Sequence, residues 1–321
     1  MKIFVTRKIP KPGLDLLRKE HELEINHHDR VLTKEEIIKG VKGKDGLLCL
    51  LTDHIDAEVI DSEPNLKMIA NYAVGYNNID IETANKRKIP VSNTPDVLTD
   101  STAEMAWSLL FSVARRIVEA DKFTRAGKFK GWAPMLMHGQ EVTGKTLGVI
   151  GTGRIGTAFA LKSKGFKMNV LYFDRVRNKQ LEKELGAKKV ELNVLFKKSD
   201  FISLHVPLIE STEHLISENE LKSMKNTAIL INTSRGPVVD EKALVKALKE
   251  KWIFGAGLDV YENEPKIHSG LINLDNVVLQ PHSASATVES RTKMAIMAAE
   301  NMLMGLAGEK PPNCVNKDIF N

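Results

Sequence analysis

The sequence predicts an α/β protein of two domains built on parallel sheets flanked by helices. Three observations carry that prediction. Short apolar runs alternate with helical patterns nearly to the C-terminus. A glycine-rich turn follows one of those runs near the middle of the chain. The length of 321 residues also exceeds what one typical hydrophobic core organises.

Taken in order, residues 3–6 read as a strand and 13–19 as the helix after it. The same alternation gives strand 46–51 and helix 57–63, then strand 68–70 and helix 81–88, with strand 91–93 closing the set. The spacing of Ser101 and Glu104 predicts a capping box opening a helix that runs to about Arg125. Its apolar residues go nearly all round, which implies burial between layers or domains.

The run 146–150 enters Gly-Thr-Gly-Arg-Ile-Gly at 151–156, and an amphipathic pattern follows through 158–164. A second apolar run, 168–173, ends on Asp174. This order of strand, G-x-G-x-x-G, helix, strand and acid is that of a dinucleotide-binding unit. Gly151 permits the tight turn, Gly153 lets the backbone approach a pyrophosphate, and Gly156 lets the helix pack close to the strand. The free N–H groups of the helix start face the anion. Asp174 can accept hydrogen bonds from ribose hydroxyls and repels a 2′-phosphate, so NAD(H) is preferred; Arg175 and Arg177 partly offset the repulsion and keep NADP(H) possible.

Further strands are expected at 201–205, 228–232, 257–260 and 277–279, separated by helices such as 241–249, and a last helix at 287–306. A domain must precede the fingerprint, and the last helix lies beyond the final strand of the nucleotide domain. The expected organisation is therefore discontinuous: residues 1–99 and 287–321 form a flavodoxin-like substrate domain, into which a nucleotide-binding domain of 100–286 is inserted.

Three segments near predicted strand ends carry unusual polar residues: 231–237 with Arg235, 257–265 with Asp259 and Glu264, and 279–285 with His282. Ligands of open α/β sheets bind beyond the carboxyl ends of strands. Hydride exchange with a 2-oxo acid needs what these residue types supply. Arginine binds carboxylate and carbonyl oxygens, histidine gives or takes a proton near neutral pH, and a carboxylate orients the imidazole. Taken singly, each has a structural reading as well: a packed histidine, a solvated glutamate, a capping aspartate, an ion-paired arginine. The residues by themselves reach a nicotinamide-linked oxidoreductase and no further.

Composition sets the remaining bounds. No run approaches the ~18 apolar residues of a membrane span, and the N-terminus lacks a signal-peptide core. Cys49 and Cys314 form no disulfide framework, which fits a reducing cytoplasm. The formal charge of +5 is spread over interleaved lysines and glutamates, a solvated surface rather than a nucleic-acid patch. Neither a nucleic acid nor a membrane is expected as a partner, and no metal.

Six segments then carry a family resemblance: 71–80 (Asn-Tyr-Ala-Val-Gly-Tyr-Asn-Asn-Ile-Asp), the glycine turn, 205–208 (His-Val-Pro-Leu), 232–236 (Asn-Thr-Ser-Arg-Gly), 258–265, and 281–287. The chain resembles the D-isomer-specific 2-hydroxyacid dehydrogenases over nearly its whole length. Within them it is most similar to the glyoxylate/hydroxypyruvate reductases, notably at 73–76, 131–132 and 311–316. The resemblance implies Arg235 as substrate binder and carbonyl polariser, His282 as proton donor, and Glu264 as its carboxylate partner. It places the substrate at Ala73, Val74 and Gly75, with Arg235 and His282. Asp259 is implied to approach the nicotinamide carboxamide. Thr102, Arg154, Ile155, His205, Val206, Pro207, Thr212, Thr233, Ser234 and Ser285 complete the cofactor set with Gly151, Gly153, Gly156, Asp174 and Arg175.

It further implies two Rossmann-like domains, each a doubly wound parallel sheet, with a hinge and cleft between them, a small 2-oxo or 2-hydroxy acid substrate, and a homodimer built on the nucleotide domains. Ser283-Ala284, where the family more often has Ile-Gly, is expected to crowd or re-polarise the nicotinamide edge. Loops 50–54 and 132–137 are candidates for setting specificity. The competing readings are a D-lactate-type or 3-phosphoglycerate dehydrogenase and, from another class, a nicotinamide-sensing co-repressor without catalysis.

Overall fold

The computed structural model of the protein describes residues 1–320. The chain divides into two compact units, Met1–Leu98 with Ala286–Asn321, and Thr99–Ser285. Both are parallel sheets between helices, the α/β architecture expected from the alternating pattern.

In the first unit the strands are β1 (Lys2–Val5), β2 (Glu22–Ile25), β3 (Gly46–Leu50), β4 (Met68–Tyr72) and β5 (Val91–Ser92). Their spatial order is β2-β1-β3-β4-β5, all parallel. The chain thus reverses its winding between β1 and β3, the flavodoxin-like order. At that switch point the hydroxyl of Thr6 donates to Asp53, whose Oδ2 also accepts the Leu50 amide at 2.7 Å. Both side chains are buried there. The final helix, Val288–Leu306, belongs to this unit, and Tyr72 Oη donates to the carbonyl of Arg291 on it at 2.7 Å.

In the second unit the strands are β6 (Thr146–Ile150), β7 (Asn169–Phe173), β8 (Lys188–Lys189), β9 (Phe201–Leu204), β10 (Ile229–Asn232), β11 (Gly255–Leu258) and β12 (Val277–Leu279). Their order is β12-β11-β10-β9-β6-β7-β8. The winding reverses between β6 and β9, so the glycine turn after β6 and the His205 segment after β9 share the switch point.

The helix expected from Ser101 to Arg125 is two helices, Thr99–Ala114 and Ile117–Arg125. Arg116 breaks it with a left-handed backbone, φ 53°. The break carries neither Gly nor Pro, and so has no signature in the residue order. Ser101 lies inside the first turn instead of capping it, because the helix already begins at Thr99. The all-round apolar pattern does mark burial for the first helix, where Trp107 Nε1 donates to the Phe159 carbonyl at 3.0 Å and the two rings lie 5.0 Å apart. The second helix buries no residue.

Candidate active site

At the end of β6, Gly151 has φ +87°, and a Cβ there would sit 2.7 Å from the carbonyl oxygen of His205. A Cβ on Gly156 would sit 2.0 Å from the carbonyl of Gly151. Both glycines are demanded by backbone packing. Gly153 is not: its φ is −65°, and a Cβ would meet nothing within 4 Å. The space kept clear there lies at the N-terminus of the helix Arg154–Lys162, whose cap has no side-chain hydrogen bond. Open space beside uncapped helix N–H groups is what a dinucleotide's diphosphate requires, so these residues fit the group. Arg154 and Ile155 begin that helix.

Asp174, at the end of β7, is fixed onto this turn. Its Oδ2 accepts the Thr152 amide at 2.6 Å and the Thr152 hydroxyl at 3.0 Å. Burial pushes its pKa up, but these bonds outweigh it and hold the carboxyl below its ordinary value, so it stays charged. A cavity of about 510 Å³ opens here, lined by Thr152, Gly153, Asp174, Arg177 and Lys179 among others. Arg177 is committed elsewhere, its Nη2 2.8 Å from Glu182 Oε2. Arg175 is exposed.

His205 turns its ring inward, Nε2 2.9 Å from Ser203 Oγ and the ring 5.0 Å from that of Phe159. Burial pulls its pKa down to about 3, so the imidazole is neutral at physiological pH. What this residue offers a ligand-binding turn is its backbone. Val206 follows it, and Thr212 ties the next stretch together, its hydroxyl donating to the Pro207 carbonyl at 2.6 Å. Thr102 is buried within the helix Thr99–Ala114. Thr233 Oγ1 is buried without a hydrogen-bond partner, an unspent polar atom just past β10. Ser234 donates its amide and hydroxyl to Asn232 Oδ1, at 3.0 and 2.8 Å.

Arg235 follows, its carbonyl held by Asn232 Nδ2 at 2.9 Å and its Nη1 donating to the Ser234 carbonyl at 2.7 Å. Burial lowers its pKa and the Glu264 charge raises it, but a guanidinium stays charged regardless. The next residue explains why the Arg235 and Glu264 loops meet: a Cβ on Gly236 would lie 1.9 Å from the Tyr261 carbonyl. Only glycine lets the two backbones approach so closely.

Glu264 accepts the Tyr261 amide on Oε1 at 3.0 Å, and its Oε2 lies 2.8 Å from His282 Nδ1. Burial raises its pKa, but His282, the Tyr261 amide and the Arg235 charge together hold it below the ordinary glutamate value. An ionised carboxylate accepts only, so Nδ1 carries the proton of that bond and Nε2 is left for chemistry. His282 has φ +54°, a conformation rare outside glycine, and the chain beyond it is clamped. The fully buried Asp259 accepts the Ser283 amide on Oδ1 at 2.7 Å and the Ala284 amide on Oδ2 at 2.8 Å. Tyr261 Oη donates to the Gln280 carbonyl at 2.7 Å from the other side. The Ser283 hydroxyl is spent internally, 3.2 Å from Gln280 Oε1. Ser285 is half-buried two residues further on. The clamping roles of Asp259 and Tyr261 have no signature in the sequence, because they depend on which backbone amides lie opposite.

In the first unit, Ala73, Val74 and Gly75 follow β4. All three carbonyls are taken: Ala73 by the Thr94 amide at 2.8 Å, Val74 by Asn93 Nδ2 at 2.7 Å, and Gly75 by Asn71 Nδ2 at 2.9 Å. The amides of Val74 and Gly75 donate to no acceptor among the described residues. Asn78 braces the loop, its side chain bonding Asn71, the Leu50 carbonyl and the Asp53 carbonyl at 3.0–3.1 Å. Adjacent unspent amides of this kind bind anions.

No helix among the described residues is long and apolar enough to cross a membrane. The family described as D-isomer specific 2-hydroxyacid dehydrogenase, NAD binding domain, matches residues 107–284. A glyoxylate reductase of Korarchaeum cryptofilum is 53% identical over 320 residues, covering 99% of this chain and 96% of the relative. Among solved structures, a Thermus thermophilus protein aligns with a TM-score of 0.93 and 43% identity, covering 98% of this chain and 100% of that one. An NADPH-dependent glyoxylate/hydroxypyruvate reductase of Sinorhizobium meliloti aligns with a TM-score of 0.84 and 31% identity, covering 98% and 97%.

Proposed function

The chain belongs to the D-isomer-specific 2-hydroxyacid dehydrogenase family, and from that premise we propose that it reduces glyoxylate, and 2-oxo acids little larger such as hydroxypyruvate, using NAD(P)H. The observation that carries the reading is the 2.8 Å contact of His282 Nδ1 with Glu264, in a loop system backed directly by the Arg235 turn.

When bound, the reduced dinucleotide supplies the hydride. Arg235 takes the substrate's carboxylate and carbonyl oxygens and draws charge onto the carbonyl oxygen. His282 Nε2 gives that oxygen its proton, and Glu264 stabilises the imidazole in its charged form and fixes its orientation. In the reverse direction the same nitrogen removes the hydroxyl proton. The amides of Val74 and Gly75 hold the carboxylate from the first unit. Gly151, Gly153, Arg154, Ile155 and Gly156 receive the diphosphate, with Thr233 and the backbone of 205–207 further along the same strand ends.

The cofactor preference is for NAD(H). A fixed anion at Asp174 repels a 2′-phosphate, and Arg177 is already paired with Glu182, so that repulsion is offset only in part by lysines and Arg175 nearby. One spectrophotometric panel tests substrate and cofactor together, with NADH and NADPH against glyoxylate, hydroxypyruvate, pyruvate and 3-phosphohydroxypyruvate. Glyoxylate is expected to lead, with a higher kcat/KM for NADH than for NADPH. In Asp174→Ser the NADPH-to-NADH ratio of kcat/KM is expected to rise at least about tenfold, the equivalent of ~1.4 kcal/mol. A wild-type preference for NADPH, or an unmoved ratio in the variant, overturns the assignment of Asp174.

The cytoplasm is the proposed compartment, since both cysteines are buried and unpaired. A homodimer is the proposed assembly. The segment after the second helix exposes Phe129 at 56%, Trp132 at 85% and Met135 at 76%, more apolar surface than a free loop carries without a partner. Light scattering is expected to give the mass of two chains, and Trp132→Glu to shift it toward one. A wild-type monomer rules the assembly out.

A further inference from the structure

A trans peptide unit is planar, so its C=O and the following N–H point in opposite directions. Whatever holds the carbonyl of Val74 therefore aims the amide of Gly75. That holder is a side chain: Asn93 Nδ2, at 2.7 Å, the shortest of the three bonds that grip the loop's carbonyls. The equivalent grip on the Ala73 carbonyl comes from the Thr94 backbone amide, at 2.8 Å.

Asn93 is itself anchored on both sides of its backbone. Its amide donates to the Asn313 carbonyl at 3.2 Å. Its carbonyl accepts from Asn301 Nδ2 at 3.3 Å, on the final helix, where Asn301 is 1% exposed. Asn301 Oδ1 in turn accepts the Asn313 amide at 3.0 Å. The segment after β5, the last helix and the C-terminal strap thus converge on the residue whose carboxamide grips Val74. A buried asparagine holds its neighbours rigidly when both ends of its amide are satisfied, and Asn301 is: Nδ2 donates to the Asn93 carbonyl and to Asn313 Oδ1, while Oδ1 accepts the Asn313 amide.

We infer that Asn93 is a positioning residue for the substrate carboxylate: by holding the Val74 carbonyl it aims the Gly75 amide at the anion. It touches neither substrate nor cofactor. The inference rests on the reading of Val74 and Gly75 as the carboxylate cradle.

The test compares glyoxylate with its primary amide, which keeps the aldehyde and loses the charge. In Asn93→Asp, an isosteric change that removes the donor, the ratio of kcat/KM for acid over amide is expected to fall about tenfold, the scale of one hydrogen bond to a charged group. The Kd for NADH is expected to stay within about twofold of wild type. Asn93→Gln, which keeps the donor on a longer arm, should recover part of the ratio. Where Asn93→Asp does not fold, Asn93→Ser carries the same expectation. An unchanged acid-to-amide ratio, with a lowered Tm or with KM raised equally for both substrates, makes Asn93 merely structural and overturns the inference. Gly75→Pro deletes the amide itself and separates the two ideas. A ratio lowered by Gly75→Pro but untouched by Asn93→Asp sinks only the positioning role. A ratio untouched by both sinks the cradle.

Discussion

Replacing His282 by alanine is expected to lower kcat for glyoxylate reduction by about 10²–10⁴-fold, the usual worth of a positioned general acid. Binding of NADH should be little affected, because the imidazole is held by the Glu264 loop and not by the glycine turn. The stopped-flow signature is specific: NADH and glyoxylate bind, but the absorbance of the reduced nicotinamide decays slowly. Glu264→Gln should show a smaller loss in the same step, since the amide still accepts from Nδ1 while the charge that stabilises a protonated imidazole is gone. The 2.8 Å bond and the clamp of Asp259 on the two amides after His282 fix the imidazole from both its ring and its backbone. Turnover within threefold of wild type in a folded His282→Ala protein would remove the acid–base role altogether.

Arg235→Lys is expected to cost about 10²–10³-fold in kcat/KM, comparable to losing a donor that stabilises a developing oxyanion. Lysine keeps the positive charge, so the carboxylate loops beside it are not left without a counter-charge, yet it cannot engage two oxygens in one plane. The loss should appear both as a raised KM for glyoxylate and as a lowered kcat, with the Kd for NADH unchanged. Arg235→Ala should be worse still, because it also takes the guanidinium charge from Glu264. A lysine variant with wild-type constants would show that charge alone suffices and that the planar fork contributes nothing.

Much of this was legible in the amino-acid order. The βαβ unit around 146–174 could be read because its strand, glycines, helix and acid are local, and helix Glu241–Lys249 and strand Val277–Leu279 fall where periodicity puts them. The elements that escaped are at edges. Strand β2 is Glu-Leu-Glu-Ile, half-exposed on the sheet's rim, and β8 is two exposed lysines, so neither shows an apolar run. The helix Lys34–Val41 passed unread although Thr33 and Glu36 cap it reciprocally, because its four charged residues mask the apolar stripe of Ile37 and Val41. At the candidate site, residue types singled out Arg235, Glu264 and His282, and the fold brings the last two within 2.8 Å of each other. Asp259 stood out as a polar residue but not as the clamp on the two amides after His282, and the bracing roles of Tyr261, Asn71, Asn78 and Asn93 were not legible, since each acts on backbone groups brought opposite only by folding.

The three carbonyls gripped behind residues 73–75 have an evolutionary consequence. On the proposed reading, the share of carboxylate recognition that falls to residues 74 and 75 is carried by main-chain atoms, which no side-chain exchange short of proline can delete. A side-chain exchange at Val74 that leaves the backbone in place is then expected to keep the grip on the group common to all 2-oxo acids. On the same reading, a change in what the rest of the substrate carries is expected to come from the neighbouring loops.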